Sequence, residues 1–237
     1  AGTLFVHKIA GAMAESGADL DTITAAATAV IKGAISIGMS LDTCTVPGSP
    51  KEDRIARGKA ELGLGIHGEA GVEQVDFAGA RAAMAMVLDR LAPHLGAGDH
   101  VALLNNLGST TPLEMSILAE ELARSPIGGR VRWMIGPAAL MTSLDMHGFS
   151  VSLLPVDAAQ VAALAAPVGP HAWPGLAELA PVQMRPLPDG LAPIQPVPSA
   201  HPARSAARGW HCRPAGCAGQ RPSAGTAAAG RPRVRCR

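Results

Sequence analysis

Four glycines and a single histidine lie within the eleven residues of segment 61–71. Small and apolar residues alternate from Glu61 to Ile66, which predicts a buried strand, and Gly65 and Gly68 would allow a sharp turn at its end. His67 would then lie at the strand terminus, with no neighbouring Cβ to shield its ring. An imidazole with the ordinary pKa of about 6.5 is largely neutral at physiological pH, and the neutral ring is a nucleophile. The segment therefore predicts either an accessible, reactive histidine or a histidine that only caps a glycine turn.

The composition predicts a folded body followed by a tail of a different kind. Of the 237 residues, 48% are hydrophobic, which is enough for a sizeable core. The net charge of +1 conceals an asymmetry, because no Asp or Glu follows Asp189 whereas eight arginines follow residue 200. No apolar run reaches the roughly 18 residues of a membrane span, and the first residues lack the pattern of a secretory signal. We therefore expect a cytoplasmic protein that does not bind membranes.

Apolar spacing predicts helices and strands in alternation along the body. Residues 1–40 are expected to be helical, with a second helix from Asp21 to Met39 that Asp19 or Asp21 would cap. The further predicted elements are strands at 61–66, 100–107, 130–135 and 149–154 and helices at 77–91 and 112–123. This order predicts an α/β protein with a layered mixed sheet and helices, followed by a proline-rich linker and a disordered tail.

Four segments occur in the order found in one known family. They are Thr43–Gly48, Glu61–Gly71, Leu104–Gly108 and Thr142–Ser150. Over about residues 1–198 the chain resembles the dihydroxyacetone kinase family, specifically the later part of the substrate-binding (DhaK-type) domain of a single-chain, ATP-dependent kinase. The resemblance implies that a ring nitrogen of His67 bonds covalently to the ketone carbon of the substrate, as a hemiaminal, with Gly68 as a second substrate-binding residue.

The same resemblance implies a division into four parts. Residues 1–40 would be a helical remnant of an upstream subdomain, 41–170 a second α/β subdomain, 171–198 a proline-rich linker and 199–237 a disordered basic tail. Ala1–Ala14 resembles a segment inside the family's domain, so we expect an N-terminally truncated fragment. In single-chain members the linker leads to a nucleotide-binding domain, whereas here the tail is unrelated to one. A reading-frame shift would account for that tail.

The function implied by the resemblance is phosphorylation of a short hydroxyketone. The substrate would be dihydroxyacetone (glycerone) or a ketotetrose such as erythrulose, with ATP and Mg²⁺ held by a nucleotide-binding (DhaL-type) domain or subunit that is absent from this chain. The fragment is therefore expected to be inactive alone. We also expect a homodimer and no partner nucleic acid. The alternative is a non-catalytic, ketone-binding regulatory protein.

Other side chains in the body suggest chemistry but admit simpler interpretations. Cys44 could be a nucleophile, but no charged neighbour in the sequence activates it, and a small buried residue is the favoured interpretation. The pair His7–Lys8 could bind phosphate, but a solvated helix face is favoured. Asp145 and His147 could form an acid–base pair, although we expect a structural role for both.

Two further groups leave alternatives open. Asn105 and Asn106 precede a helix that Ser109, Thr110 or Thr111 can cap, so this turn could meet a phosphoryl donor or could simply be held by its asparagines. In the tail, His211, Cys212, Cys217 and Cys236 match no standard zinc spacing. We therefore predict no metal site.

Overall fold

The computed structural model describes residues 1–63 and 71–180, which form a mixed sheet with helices on both faces. The described helices are α1 (Thr3–Glu15), α2 (Leu20–Gly33), α3 (Ala80–Leu91), α4 (Pro112–Arg124) and α5 (Ala158–Ala165). The described strands are β1 (Ile35–Ser40), β2 (Lys59–Leu62), β3 (Glu73–Asp76), β4 (His100–Asn106), β5 (Val131–Ala138), β6 (Gly148–Pro155) and β7 (Ala177–Glu178). The predicted α/β class is confirmed. None of the described helices is long and apolar enough to cross a membrane.

The strands follow the order β3-β2-β1-β6-β4-β5-β7 across the sheet. Only β4 and β5 pair in parallel; every other neighbouring pair of these described strands is antiparallel. The central strand β6 joins two halves of the sheet, because it pairs with β1 on one side and with β4 on the other. Mixed pairing of this kind agrees with the predicted layered sheet.

Two apolar clusters cover the two faces of the sheet. On one face, α3 and α4 pack against the sheet through residues such as Met84, Val87 and Leu118. On the other face, α1 and α5 contribute Phe5, Ile9 and Leu164 to a cluster that includes strand residues of β4, β5 and β6. The helices therefore sandwich the sheet, and its central strands are buried on both sides.

The second helix ends earlier than predicted. It stops at Gly33, and Ile35–Ser40 forms β1 rather than the end of a helix that reaches Met39. Ile35, Ile37 and Met39 occupy every second position of β1 and all face the α3–α4 layer, where Met39 is buried. This spacing of two, with β-branched Ile35 and Ile37, favours a strand once neighbouring strands are available on both sides.

Side chains along strand β6 alternate between two buried layers, rather than between a buried and an exposed face. All residues from Gly148 to Leu154 are buried. Phe149, Val151 and Leu153 face the α3–α4 layer, while the alternate positions Ser150 and Ser152 face the other layer. The Ser152 hydroxyl lies 2.7 Å from that of Ser36 on β1, so this buried polar group is satisfied.

The predicted helix caps are confirmed in two places. Asp19 accepts a hydrogen bond from the Thr22 amide at 2.8 Å and begins α2. Thr111 begins α4 with a capping box that is completed by Glu114. The caps are local in sequence, which explains why the pattern alone could locate them.

Lys8 does not lie on a solvated helix face. Its neighbour His7 is exposed, but Lys8 is only 8% exposed and its ammonium donates to the Ala163 carbonyl at 2.6 Å. That carbonyl lies in the last turn of α5, where the negative end of the helix dipole favours a cation. Burial lowers the pKa of Lys8 from its ordinary value. The prediction of a solvated helix face was wrong for Lys8, because the packing of α1 on α5 cannot be predicted from the sequence of α1 alone.

A short strand lies inside the segment that was predicted to be a linker. Ala177–Glu178 pairs with Trp133 and Met134 at the edge of the sheet. The division at residues 40, 170 and 198 stays a prediction, although β1 from the first part belongs to the same sheet as the strands of the second. Residues 181–198 of the linker and the tail at 199–237 lie outside the described residues.

His100, at the start of β4, should make stability sensitive to acid. The residue is 0% exposed, its Nδ1 lies 2.9 Å from the Gly98 carbonyl, and its Nε2 has no hydrogen-bond partner among the described residues. Burial lowers the pKa of His100, so the unfolded chain takes up its proton first as the pH falls. Stability should therefore decline below about pH 6.5, by at most about 1.4 kcal/mol per pH unit, until the folded-state pKa is passed.

Urea unfolding between pH 7 and pH 5 checks this expectation. His100→Gln should flatten the pH dependence relative to wild type, whereas His94→Gln, at an exposed histidine, should leave the slope unchanged. An equally steep loss of stability in His100→Gln would assign the acid sensitivity to another group.

Candidate functional site

The glycine-rich segment connects β2 to β3. These strands pair antiparallel, with Leu62 opposite Glu73, so the described residues that flank the segment lie next to each other. The predicted site residues His67 and Gly68 belong to residues 64–70 and lie outside the described residues. The predicted strand at 61–66 is described only in part, as β2 ends at Leu62. The structure therefore describes only the residues that flank segment 64–70 on either side.

The base of this segment is held by the carboxylate of Glu61. Its Oε2 accepts a hydrogen bond from the Gly71 amide at 3.2 Å and an ion-pairing hydrogen bond from Arg54. Its Oε1 accepts one from Gln74 Nε2 at 3.3 Å, and the same Gln74 amide group donates to the Arg54 carbonyl at 3.1 Å. One side chain thereby joins β2, the start of β3 and the preceding connector.

Glu61 is charged although it is only 3% exposed. Burial alone would raise the pKa of its carboxyl group, but the hydrogen bonds from Arg54, Gly71 and Gln74 outweigh it and lower the pKa. A buried charge is tolerated only when it is paired and hydrogen-bonded in this way. The sequence interpretation placed Glu61 at the start of a strand and missed its role, because Arg54 and Gln74 are 7 and 13 residues away.

Two glycines at the base are required by their surroundings. Gly63 has φ of +76°, and a Cβ there would lie 3.1 Å from Val72 Cγ2. A Cβ on Gly71 would lie 2.7 Å from the Leu62 carbonyl oxygen. Backbone bonds from Gly63 to Gly38 and from Val72 to Leu62, at 2.7 and 2.9 Å, close the base further. The described residues on either side of segment 64–70 are thus held close together.

The connector between β1 and β2 is tied to the loop before β6. The Thr45 hydroxyl donates to Asp145 Oδ2 at 2.9 Å, and Lys51 forms an ion pair with Asp42 at 2.6 Å. Asp145 has φ of +59°, so this loop makes a tight turn beside the connector. Cys44 is half-buried rather than fully buried as expected, and it is a free thiol.

Asp145 and His147 do not form an acid–base pair. The Asp145 side chain bonds to Thr45, whereas His147 Nε2 lies 3.2 Å from Glu114 Oε1 on α4. The pKa of Glu114 is lowered, chiefly because the Thr111 amide and hydroxyl donate to its carboxylate, with His147 as a smaller influence. The structural interpretation of both residues agrees with these contacts.

The asparagines after β4 hold loops together. Asn105 is fully buried; its Oδ1 accepts from the Leu140 and Met141 amides at 3.0 and 2.8 Å, and its Nδ2 donates to the Met141 carbonyl at 2.8 Å. Asn106 accepts from the Gly108 and Thr110 amides within its own turn. Of the two alternatives for these residues, the contacts support the structural one.

An apolar pocket of about 160 Å³ is lined by residues of β1, α3, α4 and the start of β6. Its walls include Met39, Phe77, Leu118 and Phe149, and the His147–Glu114 pair lies at its rim. Met39, which lines the pocket, pairs with Leu62 at the end of β2. Its walls suit an apolar group better than a polyhydroxylated one, because they offer few hydrogen-bond partners.

Within residues 1–63 and 71–180, no group of three or more His, Cys, Asp or Glu side chains could hold a metal ion. His211, Cys212, Cys217 and Cys236 lie outside the described residues, so the prediction of no metal site in the tail stays a prediction.

Comparison with known proteins defines the class. The Dak1 domain family matches residues 1–172, and the chain therefore belongs to that family. The "Dihydroxyacetone kinase" of Citrobacter freundii is 39% identical over 178 residues, which cover 73% of this chain and 32% of that protein. The "Triokinase/FMN cyclase" of Bos taurus is 38% identical over 189 residues, covering 75% of this chain and 32% of that protein. The chain thus spans about a third of the length of these relatives.

Solved structures agree with the family and the fold. The dihydroxyacetone kinase from C. freundii in complex with AMP-PNP and Mg²⁺ superposes with a TM-score of 0.76 at 35% identity, over 85% of this chain and 38% of that one. A dihydroxyacetone kinase operon co-activator, Dha-DhaQ, superposes with a TM-score of 0.67 at 29% identity, over 73% of this chain and 56% of that one. The chain is thus a kinase-family domain whose fold also occurs in a regulator.

Proposed function

We propose that this chain is the substrate-binding part of a dihydroxyacetone-type kinase, in which His67 holds a short hydroxyketone as a covalent hemiaminal. The observation that carries the proposal is the match of residues 1–172 to the Dak1 domain, together with similarity to a named dihydroxyacetone kinase. The hairpin of β2 and β3 supports it, because the buried carboxylate of Glu61, which precedes segment 64–70, accepts a hydrogen bond from the Gly71 amide, which follows it, and pairs with Arg54.

The proposed capture step is an addition in which no atom leaves. The lone pair of the unprotonated ring nitrogen of His67 attacks the ketone carbon, and the carbon–oxygen π electrons move to the oxygen. The proton on the other ring nitrogen is lost as the oxygen gains one, so the product is a neutral hemiaminal. Glycerol has similar hydroxyl groups but no electrophilic carbon, so covalent capture selects ketones where hydrogen bonds alone would discriminate poorly.

Capture would also prepare phosphoryl transfer. A covalently held ketone presents a terminal hydroxyl in one orientation, which removes much of the entropic cost of the reaction. We assign ATP and Mg²⁺ to a nucleotide-binding (DhaL-type) domain or subunit, an assignment supported by the AMP-PNP and Mg²⁺ in the C. freundii structure. Phosphoryl transfer depends on positioning and charge stabilisation by that nucleotide site, so we expect no turnover by this chain alone.

The remaining features are proposed from the resemblance. We propose dihydroxyacetone or a related ketotetrose such as erythrulose as the substrate, a homodimer as the assembly and the cytoplasm as the location. A regulatory, non-catalytic ketone-binding protein is the second candidate, which the similarity to the operon co-activator favours. Addition of a family nucleotide-binding subunit with ATP separates the two, because only the kinase would then phosphorylate the ketone.

Replacing His67 with Ala should abolish covalent capture. The test is carbon-13 NMR of the purified chain with dihydroxyacetone labelled at C2, whose ketone signal should move to the tetrahedral region when the adduct forms. Free dihydroxyacetone also gives a tetrahedral hydrate signal, so the adduct is identified as the additional, protein-broadened signal. His94→Ala, at an exposed histidine, is the matched control and should keep the adduct. An adduct signal that persists in His67→Ala would assign capture to another nucleophile.

A further inference from the structure

We propose that the apolar pocket between α3 and α4 is a binding site for a small aromatic cation, whose ring packs against Phe77 and Phe149 and whose charged group meets the carboxylate of Glu114. The proposed site goes beyond ketone capture and does not rest on it, because the residues that form it lie on or beside β1, α3, α4 and β6.

The first support is the size of the pocket. Its volume is about 160 Å³, close to that of an engineered apolar cavity of about 150 Å³ that stays dry and binds benzene. A single six-membered ring therefore fits. Phe77 and Ile117, which line the pocket, are exposed, so the pocket is open to the surface and a substituent on the ring can reach its rim.

The second support is the chemistry of the walls. The chain has three phenylalanines and no tyrosine, yet two of those phenylalanines, Phe77 and Phe149, line this pocket. The buried Met39 lines it as well. Aromatic rings pack favourably against one another in offset or edge-to-face arrangements, and a methionine sulfur makes favourable contacts with a ring. The walls therefore favour a flat aromatic ring over an aliphatic group of the same volume.

The third support is the acceptor at the rim. The Thr110 hydroxyl is already paired, since it donates to the Gly148 carbonyl at 2.7 Å and accepts from the Gly148 amide at 2.9 Å. Oε2 of Glu114 accepts from the Thr111 amide and hydroxyl, and its Oε1 lies 3.2 Å from His147 Nε2. A carboxylate can accept about four hydrogen bonds, so Oε1 can accept one more from a ligand.

The charge of Glu114 determines the sign of the ligand. The Thr111 amide and hydroxyl lower the pKa of this carboxyl group by donating to it, so the carboxylate is ionised at neutral pH. A cation placed beside it gains a charge-assisted hydrogen bond, and the faces of the neighbouring phenylalanines also attract positive charge. An anion of the same shape would be repelled.

The experiment uses benzamidine as the probe, because its amidinium can form two parallel hydrogen bonds with a carboxylate and its ring is the size of benzene. Benzamide has nearly the same shape without the charge, and benzoate carries the opposite charge. NMR titration of the purified full chain at pH 8, where an imidazole of ordinary pKa is neutral, measures the dissociation constant of each. Intermolecular contacts to the methyl groups of Met39 and Leu118 locate the probe.

Two variants change the pocket in different ways. Glu114→Gln removes the charge but keeps the capping box of α4, which glutamine also completes. Ala80→Leu places a larger side chain in the lining without changing the charge. The matched controls are Glu120→Gln, at an exposed carboxylate of α4, and Ala85→Leu, at an exposed alanine of α3. Circular dichroism follows the folding of each variant.

We expect benzamidine to bind with a dissociation constant of about 0.1–1 mM and roughly tenfold more tightly than benzamide or benzoate. Glu114→Gln should raise that constant about fivefold and Ala80→Leu about tenfold or more, with no change in either control. If Ala80→Leu does not fold, Glu114→Gln decides the proposal.

Equal affinity for benzamidine and benzamide, or an unchanged affinity in Glu114→Gln, would overturn the proposed site. Methyl contacts that place the probe away from Met39 and Leu118 would overturn it too, as would a pocket already covered by a second copy, seen as a concentration-dependent shift of the Met39 methyl signal. Ketone capture enters none of these measurements, so they are decided separately from the proposed function.

Discussion

Gly148→Ala is expected to leave the chain largely unfolded under conditions in which wild type is stable. Gly148 begins β6 and pairs with Ser40 of β1. A Cβ there would lie 2.4 Å from the Met39 carbonyl oxygen and 2.7 Å from Ser40 Cα, which are backbone atoms of the neighbouring strand. Backbone cannot move aside as a flexible side chain would, so the two strands must separate. The expected cost is about 3 kcal/mol or more.

Chemical denaturation checks this expectation through the unfolding midpoint. Gly11→Ala is the matched control, because Gly11 lies within α1 and nothing is near enough to meet its added Cβ among the described contacts. That substitution should raise stability by roughly 0.5–1 kcal/mol, since alanine favours helix interiors over glycine. A midpoint for Gly148→Ala close to that of wild type would show that β1 and β6 are further apart than described.

Asn105→Ala is expected to destabilise the chain by about 3 kcal/mol. The amide of Asn105 is fully buried at the end of β4 and bonds to both backbone amides at Leu140 and Met141 and to the Met141 carbonyl. Truncation removes these partners and leaves a small cavity. The loop between β5 and β6 should therefore become the first part of the sheet edge to open.

Thermal and urea unfolding, with hydrogen exchange of the Leu140 and Met141 amides, measure this effect. Asn105→Asp keeps the size and the accepting oxygen but places a second oxygen opposite the Met141 carbonyl, so it should be almost as costly near neutral pH. Ser116→Ala is the control, because its exposed hydroxyl donates to the Pro112 carbonyl of its own helix. A loss for Asn105→Ala no larger than that for Ser116→Ala would contradict the structural assignment.

The parts of the fold that the sequence predicted are those determined by neighbouring residues. Thr111 and Glu114 are three residues apart, and their capping box follows from that spacing. The end of α2 was misplaced, because whether Ile35–Ser40 is a strand depends on β2 and β6, which come from distant parts of the chain. The prediction for Lys8 was wrong for the same reason, since its partner Ala163 is 155 residues away.

In the candidate site, too, the features that could be predicted are those set by residues close together in the sequence. His67 could be singled out because the glycines that surround it and the family motif are contiguous in sequence. The residues that hold its segment could not, because Glu61, Arg54 and Gln74 meet only when the connector folds back onto the hairpin. A buried glutamate in an apolar strand was the available signal, since such a residue requires partners that the strand itself does not provide.

The position of β6 in the sheet has a consequence for synthesis on the ribosome. The middle of the sheet pairs Ile35 with Leu153 and Val101 with Leu154, so both halves depend on a strand that is among the last of the described strands to be translated. Until residue 155 has emerged, both β1 and β4 lack one of their neighbouring strands. Contacts between segments so distant in sequence form slowly, because the intervening chain must first lose conformational freedom. Nascent chains of this domain therefore carry exposed strand edges through most of their elongation, which makes the period before β6 emerges the one in which they depend most on chaperones.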